Sequence, residues 1–416
     1  MSEITDNRKW STIYPQGQLL TYYQPIVALE SRAIVGYEAL GRERVDGEVH
    51  SLGSFFANLE VPVQEHLRID RQLREQAIAK LSGLAIPPML FINLKPSWIY
   101  QSYKQAGELH TLRLLDRYRV DPRNVCIEIT EDEFGDSMGE LTRIVKLYRA
   151  EGCQIAIDDI GRGFSNFDRI ARIRPNFLKV DVHLLKNSAV HDGYLGVLRS
   201  FSHLAEQVGA SLLLEGVETA QDLRRAIRAG ARYVQGYLFS PAQADFQDKH
   251  AFTPLVETEL SANRQILGKT LRLWEEVGQR LAGKVRESGI RELLEARSSN
   301  NADTTAEAEF ADQAIHRLLP ELEACCIRVY LCRTSGIQLS ANHSRSEPEG
   351  WKINLDYRFA DWSWRPYFLP HLSHGTTETK ISDMYADLDS RAWIRTVSIP
   401  INSELVLLTD VIDSFE

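Results

Sequence analysis

Seven short apolar runs, each broken by an abrupt polar residue, recur between residues 20 and 240 of the 416-residue chain. They are IVGYE from Ile34, LFINLK from Leu90, VCIEIT from Val125, IAIDD from Ile155, FLKVD from Phe177, SLLLEG from Ser211 and YVQGY from Tyr233. Successive apolar positions mark strands buried on both faces, because a wet face imposes apolar-polar alternation. Between the runs lie amphipathic stretches that read as helices: Gln64 to Leu81 carries Leu67, Leu73, Ala77 and Leu81, and Gly193 to Val208 carries Leu195, Leu198, Phe201 and Leu204. Strands alternating with helices fit either a (β/α)8 barrel or a doubly wound open sheet. The polar residues favour the barrel. Its strand ends converge on one mouth, whereas an open sheet spreads them along an edge.

The length favours two or three domains. The barrel is assigned residues 1–250, a helical connector 251–300 and a small α+β domain 301–416. In the connector, Leu267, Leu271, Trp274, Gly278, Leu281 and Val285 form a short heptad seam, suited either to a second copy of the chain or to packing within it. Thr304 and Glu307 have capping-box spacing and signal a restart. After them CIRVYLC, GIQLSA, RTVSIPI and ELVLLTDV read as strands around the aromatic stretch DWSWRPYF. With 57 acidic against 48 basic residues the net charge is −9, which argues against a general nucleic-acid polymer binder. Five cysteines without ligand spacing suit a reducing compartment, and no apolar run reaches membrane-span length, so a cytoplasmic protein is expected.

The chemistry is expected from the strand ends: Glu38, Asn93, Glu128, Asp158, Asp159, Lys179, Asp181, Glu215, Glu218 and Gln235. One such residue is ordinarily a loop acceptor or a helix cap. In a barrel, however, Glu38, Glu128, Asp158, Asp159 and Glu215 share one cavity with the Asn93 amide, and their repulsion raises their pKa values unless cations sit among them. Hard oxygen donors without thiols or clustered histidines select Mg²⁺ or Mn²⁺ over zinc.

The same residues carry a resemblance. The segment YYQPIVALESRAIVGYEALGR, Tyr22 to Arg42, resembles the signature of the EAL domain, the bacterial family that hydrolyses cyclic di-GMP. NLKP at Asn93, EITE at Glu128, DDIGRG at Asp158, LKVD, EGVET at Glu215 and QGYLFSP at Gln235 follow in the family's order. The resemblance covers roughly residues 18–245 and implies a modified TIM barrel whose first strand is antiparallel to the rest. It implies one metal on Glu38, Asn93, Glu128 and Asp158 and a second around Asp158, Asp159 and Glu215. It also makes Lys179 the contact of the attacking water and Glu215 a general base. Gln24, Arg42, Asp181 and Gln235 take substrate-contacting positions, and Glu131 and Glu218 support the site from outside it. The implied reaction is hydrolysis of cyclic di-GMP to linear pGpG by a homodimer. The loop DDIGRGFSN departs from the family at Ile160, Arg162, Phe164 and Asn166, and Lys95 stands where a small hydroxyl residue is usual. A non-catalytic cyclic di-GMP receptor is therefore the alternative, with a Mg²⁺-dependent lyase or isomerase far behind. The C-terminal region resembles a PAS-like or Cache-like sensor, whose aromatic stretch either lines a pocket for a small ligand, with Arg365 and Tyr367 as polar contacts, or fills a core. A ligand or protein partner there is expected to regulate the barrel.

Overall fold

The computed structural model describes residues 14–130, 138–161, 167–188, 192–295, 304–346, 349–369, 372 and 378–413. The chain forms two compact units that divide between Arg264 and Gln265.

In the first unit the sequence's seven runs all become strands. They are β2 (Ala33–Val45), β4 (Met89–Leu94), β5 (Val125–Thr130), β6 (Gln154–Ile160), β7 (Phe177–Val180), β8 (Ser211–Leu214) and β9 (Tyr233–Val234), hydrogen-bonded in parallel in that order. An eighth, β1 (Gln18–Ala28), is antiparallel to both β2 and β9 and closes the barrel. A short β3 (Glu48–Ser51) extends β2 as a hairpin. The expected barrel with one reversed strand is thus what forms. The helix Val63–Leu81 buries Ile69, Leu73, Ala77, Ile78 and Leu81, one face at helical spacing, in the layer around the strands.

The barrel interior has two layers with different chemistry. Ile26, Phe91, Cys126, Ala156, Phe177 and Leu213 form a buried apolar plug. Strand side chains alternate between faces with period two, so the next inward position on five of these strands lies two residues further on. Those positions are Asn93, Glu128, Asp158, Lys179 and Glu215. Glu38 enters the same layer from β2, paired across β1 with Gln24. Burial of the plug seals the floor, and the polar layer above it faces the mouth.

The helix Thr253–Glu287 crosses the division between the units. Its first turns belong to the barrel: Val256 is fully buried, and Glu259, 4 % exposed, pairs with Arg224 at 2.5 Å. Further on, Trp274, Val277, Leu281 and Val285 enter the core of the second unit, with Gly278 beside Ile381. The later half of the heptad seam is therefore used within the chain, whereas Leu267 and Leu271 are exposed.

The second unit is a seven-stranded antiparallel sheet: β10 (Cys326–Arg333), β11 (Asn342–Ser346), β12 (Gly350–Asn354), β13 (Lys380–Ile381), β14 (Tyr385–Ala386), β15 (Trp393–Pro400) and β16 (Leu405–Ile412). The helix Thr304–Leu318 packs on it through Ala308, Ala311, Ile315 and Leu318. GIQLSA does not form a strand; isolated bridges at Ile337 and Gln338 occur there, and the Ser340 hydroxyl accepts from the Leu331 N–H where a ladder carbonyl would. In the aromatic stretch Phe368 is fully buried and Trp362 donates to Gln338 at 2.7 Å, both joining a core with Tyr330 and Leu408. Arg365 lies over the rings of Trp364 and Tyr367. No helix among the described residues is long and apolar enough to cross a membrane.

Candidate metal and phosphate site

Lys179 is the hub of the polar layer. Its ammonium, fully buried, lies 2.6 Å from Glu128, 2.8 Å from Glu215, 3.4 Å from Asp158 and 3.6 Å from Glu38. Burial works against its charge, but Asp158, Glu128, Glu215 and Glu38 together hold its pKa well above the usual lysine range.

The carboxylates divide by their partners. Burial works to raise Glu38, but the Lys179 charge and hydrogen bonds from Gln235 and Asn93, each 2.7 Å, hold it below the ordinary carboxylate value. Glu128 is pushed well above that value by burial, with Glu38 and Asp158 adding to the effect and Lys179 opposing it. The Lys179 ammonium at 2.6 Å is the cation that meets Glu128 directly. Burial, then the Asp158 charge, raise Glu215 to about 8.

Asp158 and Asp159 reach the mouth together because β6 is irregular. Its register against β7 shifts between Ile157 and Ile160, a bulge spanning both aspartates. Asp159 has φ 58°, a left-handed conformation that aspartate tolerates better than most residues, and its N–H donates to Asp158 Oδ1 at 2.8 Å. As a result, ligand atoms of Asp158, Asp159 and Glu215 lie within 4.8 Å of one another.

Two loops meet at the opposite rim. A Cβ on Gly236 would lie 2.1 Å from the Val217 carbonyl oxygen, so only glycine allows the turn after Gln235 to rest on the turn after Glu215. The Val217 N–H donates to the Gln235 carbonyl at 3.0 Å across this contact. Gln235 also donates to Gln24 at 3.2 Å.

Above the layer is a cavity of about 370 Å³ lined by Gln24, Glu38, Asp158, Asp159, Asp181, Glu215 and Glu218 among others. Asp181 has a second task, accepting from the His183 N–H at 2.8 Å as the cap of the helix Val182–Asn187. Glu218 is half exposed and pairs with Lys186 at 3.0 Å. Arg42 lines a neighbouring cavity instead, donating to the Gly41 carbonyl at 2.9 Å. Glu131, and Arg162, Phe164 and Asn166 of the variant loop, lie outside the described residues. Sequence reasoning did not single out Tyr237, a mostly exposed ring at this rim, although it stands inside the QGYLFSP motif.

The donor set fits divalent cations. Four carboxylates surround one ammonium and Asp159 stands beside them at the mouth, so acidic groups outnumber the single cation. Carboxylate oxygens gathered this closely suit a hard ion.

Fold and site together define a closed barrel of the TIM type with an acidic mouth. The EAL-domain profile matches residues 8–242, and an EAL-domain associated signalling protein domain matches residues 284–416. The chain belongs to the EAL-domain family. It is 32% identical over 396 residues to the uncharacterized EAL-domain containing protein YkuI of Bacillus subtilis, with 94% of each chain covered. The crystal structure of that protein with cyclic di-GMP and calcium superposes over 100% of both chains with a TM-score of 0.81 at 30% identity. The cyclic di-GMP phosphodiesterase RocR of Pseudomonas aeruginosa is 32% identical over 232 residues, which cover 54% of this chain and 57% of that one.

Proposed function

We propose that the barrel hydrolyses cyclic di-GMP to linear pGpG with two divalent cations, Mg²⁺ or Mn²⁺. Glu38, Asn93, Glu128 and Asp158 would hold one, and Asp158, Asp159 and Glu215 the other. The observation that carries this reading is the acid layer around Lys179, whose remaining negative charge calls for further cations. Held by these residues, divalent ions would neutralise phosphodiester charge and make water acidic enough to react at neutral pH. Lys179 brings a positive charge to the place where the incoming oxygen becomes anionic. Glu215, 2.8 Å from that ammonium, is placed to take the water's proton. Gln235 orients Glu38 and donates to Gln24 at the rim, where Gln24, Gln235, Arg42 and Asp181 are assigned to the substrate. Glu218, tied to Lys186, is assigned a supporting position at this rim.

The relatives strengthen the reading, one in complex with cyclic di-GMP and another named as its phosphodiesterase. The test is incubation of the full chain with Mn²⁺ and cyclic di-GMP, with Glu38→Gln beside it. Formation of pGpG by the wild type, lost in the variant, is expected. Tight nucleotide binding without pGpG would leave a receptor, and no binding would end the proposal.

A further inference from the structure

Cys325 and Cys326 are adjacent in the chain, and the fold treats them differently. Cys326 opens β10 and is fully buried in the core of the second unit, whereas Cys325 is partly exposed in the turn that leads into the strand. Consecutive side chains within a strand point to opposite faces, which would part the two sulfurs. At Cys325 the chain is not yet extended: the Cys326 N–H donates to the Glu323 carbonyl at 3.0 Å and closes the turn. The Cys326 thiol accordingly donates a hydrogen bond to the Cys325 sulfur.

The surroundings suit a reactive thiol. Glu323 faces Cys325 Sγ at 3.8 Å, but its charge is shared with Arg280 at 3.2 Å and Lys284 at 3.7 Å from the helix Thr253–Glu287. The hydrogen bond from Cys326 brings the Cys325 thiol down to a pKa of about 7, against burial and the Glu323 charge. Cys326 moves the opposite way, raised by that same hydrogen bond and by burial. One sulfur is an accessible nucleophile and the other a protonated neighbour within reach. Cys126, Cys153 and Cys332 are buried, and burial pushes each of those thiols up.

We propose that Cys325 is a site of reversible oxidation by a hydroperoxide and that Cys326 resolves the product as a disulfide between neighbours. The Cys325 thiolate attacks one peroxide oxygen: an S–O bond forms, the O–O bond breaks, and the other oxygen leaves as hydroxide and takes up the thiol's proton to become water. The Cys326 sulfur then displaces the sulfenic oxygen, which departs as water with the Cys326 proton. Two electrons pass from the sulfurs to the peroxide, so that two thiols and one hydrogen peroxide give one disulfide and two waters. The Cα atoms of adjacent residues are about 3.8 Å apart, short of the usual disulfide range of about 4.4–6.8 Å, so the bond is strained and readily reduced. That property belongs to a sensing thiol pair rather than to a structural bridge. The strain falls on a peptide whose carbonyl accepts from the Ile412 N–H at 2.9 Å, which ties the turn to the end of β16.

The test is peptide mass spectrometry of the full chain after brief exposure to a small excess of hydrogen peroxide, with the remaining thiols alkylated. The peptide holding both cysteines is expected to lose the mass of two hydrogens, at least about tenfold faster than any other cysteine reacts. Dithiothreitol should restore it. Cys325→Ser should abolish the loss, and Cys326→Ala should leave a sulfenic acid at Cys325 that dimedone captures. In the oxidised chain the Ile412 amide should exchange with deuterium at least about tenfold faster. A wild-type pair that remains fully open to alkylation overturns the assignment. So does a sulfenic acid at Cys325 that persists in the wild type beside a free Cys326 thiol. Both outcomes are read on the wild type, so neither depends on how a variant folds.

Discussion

Lys179 shows how one side chain organises a site that it also opposes. It offsets part of the repulsion among four carboxylates, yet it is a like charge to any divalent ion they bind. Lys179→Met should therefore bind Mn²⁺ more tightly by calorimetry while pGpG formation falls on the order of 10²–10³-fold. Weaker Mn²⁺ binding would mean that the ammonium chiefly holds the acids in position. A different balance governs Asp387 in the second unit. Although burial raises it, Arg328 at 2.9 Å and Ser390 hold its pKa at about 2. A folded-state value below the unfolded one stabilises fully above the unfolded pKa of about 4 and is lost as pH falls through the folded value. The contribution is about 2 kcal/mol near neutrality, and about half should be gone by pH 3. Denaturant unfolding from pH 7 to 3 should show Asp387→Asn less acid-sensitive than the wild type. The acid layer could be read from the sequence because each member falls at a fixed place within a strand run. The stacking of Trp98 on His66, ring centroids 5.0 Å apart, could not, since nothing in PSWIY indicates that its tryptophan meets a histidine from the helix Val63–Leu81.

At the scale of elements, the contact between the turns after β8 and β9 places Glu215 beside Gln235. Gly236→Ala should force these turns apart, because the new methyl meets backbone rather than a side chain that can rotate away. We expect a loss of about 1–3 kcal/mol in stability and at least a tenfold loss of turnover, measured by thermal unfolding and pGpG formation. An unchanged rate would show that the turns need not touch. Strands were legible where they are buried on both faces. The closing strand β1 was not among the seven runs because Thr21, Gln24 and Pro25 interrupt its apolar residues, and its direction came only from the family resemblance. In the second unit, β11 is made of NHSRS, a polar sequence whose Asn342 and His343 are nevertheless buried. His343 is accommodated by Asp312 at 3.0 Å, a partner contributed by the helix Thr304–Leu318 and therefore invisible to local pattern.

Across the whole molecule, the helix Thr253–Glu287 gives each unit part of its core. A chain ending at residue 264 should retain the barrel's full stability, whereas one ending at 252 loses the burial of Val256 and the Glu259–Arg224 pair. The shorter chain should be less stable by about 2–4 kcal/mol, seen as a lower midpoint in paired thermal melts. Equal midpoints would mean that those turns only rest on the barrel. A wider consequence follows from the two-residue offset between the apolar plug and the acid layer. Inserting a single amino acid within β5 would turn Glu128 outward toward the helices and bring an aliphatic neighbour to the ions' place, while the chain's overall hydropathy hardly changed. Lengthening a surface turn leaves that alternation untouched, so natural variation in this barrel has room at its loops and almost none along its staves.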